Sequence, residues 1–280
     1  MDQVYKVRSI HECFGGQVGF YTHRSVETKT AMNFSVFLPP QAKHSNVPAL
    51  FYLAGLTCTE ETFMIKAGAQ KLASREGLAL ICPDTSPRGA GIEGEDEDWD
   101  FGTGAGFYLD SIKAPWSKNY RMYSYITQEL ITLVQGSFPV DVDRIGIFGH
   151  SMGGHGALTI HLKRPDIFKT SSAFAPICAP AKCPWGEKAF TNYLGNDRNT
   201  WTNYDASYLV KINGAGPEIL IDQGLEDSFL EKELHPHLFE EACKNSGRSL
   251  ILRRHKNYDH GYYFISSFIS DHIHHHLKLL

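Results

Sequence analysis

The spacing of apolar and polar positions changes character once along the chain, near residue 49. Before that point, three segments resemble antiparallel strands, at residues 4–11, 16–23 and 32–38, with a turn predicted at Gly15-Gly16. After it, short apolar runs predict strands at residues 49–53, 78–82, 144–148, 170–175, 218–221 and 249–254. These strands alternate with segments of helical spacing at residues 62–75, 121–135, 152–163, 231–245 and 261–276.

Such alternation of strand and helix predicts an α/β protein with a mostly parallel, twisted sheet and helices on both of its faces. Two long stretches interrupt it, a loop rich in Gly, Asp and Glu over residues 84–120 and a segment rich in Pro and Trp over residues 176–209. No repeat or linker divides the chain, so residues 1–280 are predicted to form one domain. Sites in sheets of this kind lie at the carboxyl ends of the strands.

Composition and charge exclude several classes of protein. The chain has 280 residues, 42% of them hydrophobic and 21% charged, as in soluble globular proteins. A formal charge of −4 argues against a nucleic-acid partner, and no apolar run reaches the ~18 residues of a membrane span. The N-terminus lacks the apolar segment of a secretion signal, and the six cysteines lack metal-type spacing. We therefore expect a cytoplasmic protein with reduced thiols and no metal or cofactor.

The most specific short motif is Gly149-His150-Ser151-Met152-Gly153, which has the pattern G-x-S-x-G. It follows an apolar strand and precedes a helix, and this context is that of the nucleophile elbow of α/β-hydrolases. Glycines on both sides allow a sharp turn that exposes the serine hydroxyl. The same turn aims the N–H of Met152 toward an oxyanion, which makes Ser151 the predicted nucleophile.

A serine nucleophile needs a histidine base and a carboxylate that orients it, and in this fold they follow the serine as acid and then base. His255 and His260 both lie in the loop after the last predicted strand, and we favour His260, which directly precedes the final helix. For the acid, the loop after residues 218–221 offers Asp222, Glu226 and Asp227. Asp227 is favoured because it is far enough into the loop to turn inward.

Longer motifs carry a family resemblance that runs nearly from end to end. They are Tyr52-Leu53-Ala54-Gly55-Leu56-Thr57-Cys58-Thr59, Pro83-Asp84-Thr85-Ser86-Pro87-Arg88-Gly89, the stretch at residues 97–108, Gly149-His150-Ser151-Met152-Gly153-Gly154-His155-Gly156-Ala157, and Pro184-Trp185-Gly186-Glu187-Lys188-Ala189-Phe190. With them the chain resembles the S-formylglutathione hydrolases, also called esterase D.

The resemblance implies an α/β-hydrolase fold and a triad of Ser151, Asp227 and His260. It also implies hydrolysis of S-formylglutathione to formate and glutathione, the last step of formaldehyde detoxification, together with cleavage of short-chain esters. Leu56 is implied as the second oxyanion donor beside Met152. Cys58 is implied as a thiol close to the active site, where its modification would block the cleft.

Weaker signals are interpreted conservatively. Trp185 is a candidate wall of the substrate cleft, with core packing as the alternative. The acidic residues between 93 and 98 predict a solvated loop, and the histidines between 272 and 276 predict a solvated helix end. Three rival functions stay open: a general carboxylesterase, an acyltransferase, and a catalytically silent interaction protein. We expect no nucleic-acid or membrane partner, and either a monomer or a homodimer.

Overall fold

The computed structural model describes residues 4–280 of the chain. Its nine strands are β1 (Lys6–Cys13), β2 (Gly16–Arg24), β3 (Ala31–Leu38), β4 (Val47–Leu53), β5 (Ala79–Pro83), β6 (Val140–His150), β7 (Thr170–Phe174), β8 (Ile219–Gly224) and β9 (Leu250–His255). They form one sheet in the order β1-β2-β3-β5-β4-β6-β7-β8-β9. The neighbouring pairs β1–β2, β2–β3 and β3–β5 are antiparallel. The pairs β5–β4, β4–β6, β6–β7, β7–β8 and β8–β9 are parallel. The predicted fold class is confirmed.

Helices cover the sheet on both faces. They are α1 (Glu60–Lys66), α2 (Gln70–Glu76), α3 (Met122–Ser124), α4 (Ile131–Ser137), α5 (Met152–Lys163), α6 (Pro184–Tyr193), α7 (Arg198–Trp201), α8 (Ala206–Ile212), α9 (Pro236–Ser246) and α10 (Tyr262–Leu277). Helix α8 packs between α5 and α9, and α10 packs against α2. Across residues 4–280, none of the helices combines the length and apolarity needed to cross a bilayer.

Burial explains why the central strands β4 and β5 are continuous apolar runs. Every residue of β4, β5, β7 and β8 is buried, because helices cover both faces of these strands. By contrast, β1 is an edge strand with most of its residues exposed. The sequence pattern therefore changes near residue 49 because the sheet passes from a half-exposed edge to a covered centre.

The first hairpin turn differs from the prediction by one residue. The turn is Phe14-Gly15, with φ of 49° and 77°, and Gly16 is the first residue of β2. Two consecutive residues with positive φ match the twist of a tight hairpin. Gly16 is glycine for a different reason, since a Cβ there would collide with the carbonyl oxygen of Leu38 on β3.

Two predicted helices are each interrupted by a residue with positive φ. The segment predicted as one helix at residues 62–75 forms α1 and α2, which are separated at Gly68, where φ is +70°. Likewise, the segment at residues 231–245 forms a π-helical turn, Leu230–Leu234, followed by α9. His235 lies between them with φ of 48°, and Pro236 begins α9 because proline lacks an N–H and fits only a first helical turn.

The histidines near the C-terminus correct the expectation of a solvated helix end. His272 and His276 are fully buried because α10 packs against β7 and β8. Ser172 of β7 lies 2.8 Å from His272 Nδ1 and 2.9 Å from His276 Nε2. These side chains thus form a hydrogen-bonded layer beneath the sheet. Residues 4–280 contain no cluster of His, Cys, Asp or Glu placed to hold a metal ion.

Two other buried histidines make stability depend on pH. Burial lowers the pKa of His155 and of His161 to about 4 from an ordinary value of 6.5. As pH falls, the unfolded chain therefore takes up these protons before the folded protein does. The stability that depends on the neutral rings is complete above about pH 6.5 and is lost progressively toward pH 4.

We predict that His155→Gln weakens this pH dependence, because it removes one of the two protonation sites. Between about pH 7 and pH 4.5, the free energy of unfolding should fall by about 1–3 kcal/mol less in the variant than in the wild type. Urea denaturation at a series of pH values measures this difference. The control His44→Gln changes an exposed histidine and should keep the wild-type dependence. Parallel curves for His155→Gln and the wild type would contradict the prediction.

Candidate active site

Ser151 lies in a strained turn between β6 and α5. Its φ of 57° and ψ of −120° are unfavourable for a residue with a Cβ. The surrounding backbone holds this conformation. The Ser151 N–H donates to the carbonyl of Phe174 over 3.0 Å, and the Ser151 carbonyl accepts from the N–H groups of His155 and Ile177. The side chain is therefore presented at the carboxyl edge of the sheet by a rigid frame.

The two glycines of the motif permit this frame. A Cβ on Gly153 would collide with the carbonyl oxygen of Leu53, and a Cβ on Gly149 would collide with that of Gly153. The first turn of α5 is thus packed directly on the end of β4. Gly55 follows that strand end, and a Cβ on it would lie 3.3 Å from the Cβ of Ser151. The chain after β4 therefore runs beside the serine.

Asp227 and His260 form the carboxylate–imidazole pair beside Ser151. His260 Nδ1 lies 2.6 Å from Asp227 Oδ2. Asp227 is buried, and it also accepts hydrogen bonds from the Gln223 side chain over 3.2 Å and from the N–H of Phe229 over 2.9 Å. These bonds fix the carboxylate. The contact at Nδ1 leaves Nε2 as the nitrogen that can exchange a proton with a serine.

Ser151 Oγ makes no hydrogen bond with His260 or with any other residue between 4 and 280. In free serine hydrolases this contact is commonly long, and it tightens when a substrate binds. Ser151 and His260 nevertheless line the same cavity.

The alternative acid and base lie elsewhere. Asp222 is fully buried, where Arg253 contacts both of its oxygens and His272 Nε2 lies 3.2 Å away. Burial alone would raise the pKa of Asp222, but the hydrogen bonds from His272 and Arg253 hold it below its usual range. His255 Nε2 lies 3.1 Å from Asp222 Oδ1, and Glu226 is exposed. Of the candidates, Asp227 and His260 are thus the ones that the structure pairs beside Ser151.

A cavity of about 220 Å³ lies over Ser151. Trp185 lies in its wall, where its ring meets Trp99 edge-on at 5.6 Å and Phe229 at 4.7 Å between ring centroids. Phe229 in turn contacts the ring of His260 at 5.0 Å. The full lining is Gly55, Leu56, Cys58, Trp99, His150, Ser151, Trp185, Phe229, His260 and Tyr262. The cavity is small and its walls are largely aromatic.

Two backbone N–H groups beside Ser151 are free to bind an oxyanion. Neither the N–H of Leu56 nor that of Met152 donates a hydrogen bond to any residue of the described chain. Met152 is the first residue of α5, so its N–H also lies at the positive end of that helix. Leu56 lines the cavity in the loop that follows β4.

Cys58 lies in the cavity wall, and its thiol is not activated. Burial raises the pKa of Cys58, which disfavours the nucleophilic thiolate. The structure brings Cys58, Ser151 and His260 to one cavity, so the raised pKa of the Cys58 thiol is the observation that argues against Cys58 as the nucleophile.

Four lining residues were not predicted as site residues, namely Trp99, His150, Phe229 and Tyr262, although Trp99 and His150 lie within quoted motifs. His150 is buried, and its ring lies 4.4 Å from that of His260 between centroids. Burial and the neighbouring His260 hold the pKa of His150 well below its ordinary value, so its ring is neutral. Proximity to a triad candidate is the signal that could have found three of them: His150 precedes Ser151, and Phe229 and Tyr262 follow Asp227 and His260 by two residues.

The sheet order and the strained serine turn define an α/β-hydrolase of the serine type. Residues 25–275 match the protein family described as "Putative esterase". The S-formylglutathione hydrolase of Rattus norvegicus is 54% identical over 274 residues, which are 97% of each chain, and that of Arabidopsis thaliana is 52% identical over 95% of each chain. The chain belongs to the S-formylglutathione hydrolase family.

A solved structure supports the same relationship. The S-formylglutathione hydrolase of Agrobacterium tumefaciens superimposes with a TM-score of 0.96 and 51% sequence identity, covering 98% of this chain and 99% of that one. Agreement over this length means that the complete sheet and the loops at its carboxyl edge are shared.

We predict that Gly153→Ala lowers the free energy of unfolding by about 3 kcal/mol or more, because the new Cβ would collide with backbone atoms of Leu53. Urea denaturation measures the loss. The matched control is Gly136→Ala, which adds the same methyl group to helix α4, where no other atom would lie within 4 Å of the added Cβ. That control should be neutral or stabilising by up to about 1 kcal/mol. Equal stability of the two variants would show that α5 is not packed tightly on β4.

Proposed function

We propose that this serine hydrolase cleaves the thioester S-formylglutathione to formate and glutathione through an acyl-enzyme. The observation that carries the proposal is the His260–Asp227 contact of 2.6 Å in a small cavity that also contains Ser151. The full-length relatives named above support the choice of substrate. Formaldehyde detoxification is the corresponding proposed role.

In the first half of the reaction, Ser151 Oγ attacks the formyl carbon while His260 Nε2 accepts the serine proton. The carbonyl oxygen becomes an oxyanion and receives hydrogen bonds from the N–H groups of Leu56 and Met152. Asp227 keeps the His260 proton on Nδ1 and stabilises the imidazolium. The C–S bond then breaks, and the leaving thiolate takes the proton from His260 Nε2.

In the second half, the formyl group is an ester of Ser151. Water attacks the same carbon as His260 Nε2 accepts one of its protons, and the same two N–H groups stabilise the second oxyanion. The C–O bond to Ser151 breaks, the serine oxygen takes the proton back, and formate leaves. These steps need only protein groups and water, so the proposal contains no metal or cofactor.

Cellular context and assembly are further proposals. All six cysteines are free thiols, as expected of a protein that works in the reducing cytoplasm. For assembly, we propose a monomer or a homodimer, which light scattering of the purified protein would distinguish. A general short-chain carboxylesterase is the second candidate function, because the small apolar cavity would also accept simple esters.

We predict that Ser151→Ala, Asp227→Ala and His260→Ala each lower kcat by a factor of about 10³ to 10⁶ while the protein stays folded, because triad members act as a unit. Steady-state assays with S-formylglutathione measure kcat, and circular dichroism checks the fold. Ser151→Ala should also abolish labelling by a fluorophosphonate.

The control for the base is His255→Ala, which removes the histidine at the end of β9. It should retain far more activity than His260→Ala, because His255 contacts Asp222 rather than the cavity. A larger loss of activity in His255→Ala than in His260→Ala would identify His255 as the base. Wild-type turnover by Ser151→Ala would refute the acyl-enzyme mechanism.

We predict the highest kcat/KM for S-formylglutathione, lower values for acetyl esters, and a steep fall beyond about four acyl carbons. Extra methylenes must fit a cavity of about 220 Å³ that its aromatic walls restrict. The measurement is a series of thioesters and p-nitrophenyl esters of increasing acyl length. An optimum at octanoyl or longer would favour a lipid esterase, and an absence of preference for glutathione over a small thiol would favour a general esterase.

A further inference from the structure

The residues that line the cavity include no Lys, Arg, Asp or Glu. The leaving group of the proposed substrate, however, is a tripeptide with two carboxylates and one ammonium group. Recognition of these charges must therefore come from the rim. We propose that Lys66 binds a carboxylate of the glutathione leaving group and so favours anionic thiol leaving groups over neutral ones. This inference rests on the proposed function.

Lys66 is placed at the edge of the cavity. It is the last residue of α1, and its Nζ lies 5.8 Å from the centroid of the Tyr262 ring, which lines the cavity. Its positive charge also acts on the thiol of Cys58, a second lining residue. Lys66 is thus a cation on the side of the cavity formed by Cys58 and Tyr262.

The charge of Lys66 is available. The side chain is exposed, and within residues 4–280 no carboxylate lies within 4.0 Å of its Nζ. The two carboxylates of the same helix, Glu60 and Glu61, are both paired with Arg8. A bound carboxylate would therefore gain a partner without breaking an ion pair of the protein.

The charges beside Trp99, another lining residue, have the other net sign. Trp99 lies between Asp98 and Asp100, and both carboxylates contact Lys188 Nζ, at 2.9 Å and 2.5 Å. Two negative charges therefore surround one positive charge beside Trp99. A carboxylate is repelled beside Trp99 and attracted at Lys66, which favours binding of the leaving group with a carboxylate at Lys66.

The size of the leaving group suits this placement. Attack by Ser151 holds the thioester carbon inside the cavity, and the cysteinyl sulfur must point to its mouth. The glycine carboxylate lies one residue beyond the backbone of that cysteine, an extended length of about 3.5 Å, and the cysteine side chain adds two further bonds between that backbone and the sulfur. A flexible lysine at the rim can reach a group at this distance, whereas the acyl side of the substrate stays uncharged.

The experiment compares Lys66→Met with Lys66→Arg and with the control Lys43→Met. Lys43 is an exposed lysine before β4, at the opposite edge of the sheet. Each protein is assayed with S-formylglutathione and with the formyl thioester of N-acetylcysteamine, which has the same reacting group but a neutral leaving thiol. Lys66→Met should lower kcat/KM for S-formylglutathione by about three- to fivefold, mainly through KM, as expected for one partly exposed charge pair.

The neutral thioester provides the readout that a structural role would not change. Its kcat/KM should be unaffected by Lys66→Met, Lys66→Arg should keep most of the preference for glutathione, and Lys43→Met should change neither substrate. Added salt should weaken the preference in the wild type but not in Lys66→Met. Equal losses on both substrates would indicate that Lys66 only supports the end of α1, and unchanged kinetics would also overturn the proposal.

Failure of the proposed function would be seen separately. It would appear as a wild-type enzyme that hydrolyses the neutral thioester and has no activity on S-formylglutathione. In that case, competitive inhibition by S-methylglutathione tests Lys66 alone. The inhibition constant should rise about three- to fivefold in Lys66→Met and stay constant in Lys43→Met. An unchanged constant in Lys66→Met would overturn the inference.

Discussion

The packing of the first turn of α5 on the end of β4 is the contact on which the active site depends. Gly153 touches the carbonyl of Leu53 so closely that no side chain fits between them. This contact holds Ser151 at its positive φ, a conformation that costs about 1–3 kcal/mol when unsupported. It also places the chain that leaves β4 beside the serine. Ser151, the proposed nucleophile, and the Leu56 N–H are therefore parts of one backbone frame.

A second constraint aligns the proposed base and acid, which belong to neighbouring parallel strands. Gly224 at the end of β8 pairs with His255 at the end of β9. Beyond these residues, the two loops stay joined, because the N–H groups of Leu225 and Glu226 donate to the carbonyls of His255 and Tyr258, both over 2.9 Å. Asp227 follows directly in this joined segment, so its position relative to the loop of β9 is fixed by the backbone.

These constraints explain which parts of the fold and site could be predicted. Local sequence patterns, namely glycine spacing and apolar runs, predict the elbow, the parallel strands and the acid–base order. The choice between His255 and His260 was not predictable in this way, because both follow the strand predicted at residues 249–254. What separates them is non-local: His255 contacts Asp222, a carboxylate buried beneath the sheet on β8. No spacing within the loop itself carries that information.

The burial of the α10 histidines was also not predictable from local sequence, because it depends on packing against distant residues. Their spacing fits a solvated helix face as well as a buried one, and the hydroxyl of Ser172 on a distant strand decides between the two. Burial of an imidazole costs free energy, which such a partner offsets. The positions of Trp99 and Phe229 in the cavity wall could not be predicted either, since an aromatic residue has the same sequence signature in a core and in a cleft.

Charge and shape are separated in this site, and the separation has a chemical consequence. The walls around Ser151 are largely aromatic, so hydrogen bonds from the Leu56 and Met152 N–H groups to an oxyanion would act in a medium of lower dielectric constant than water. A fixed charge in that wall would compete with those weak donors for the oxyanion or repel it. Charges are accordingly found at the rim, where they can select a leaving group without perturbing the reacting carbon. Under the two proposals, the interior would discriminate by acyl size and the rim by the charge of the thiol.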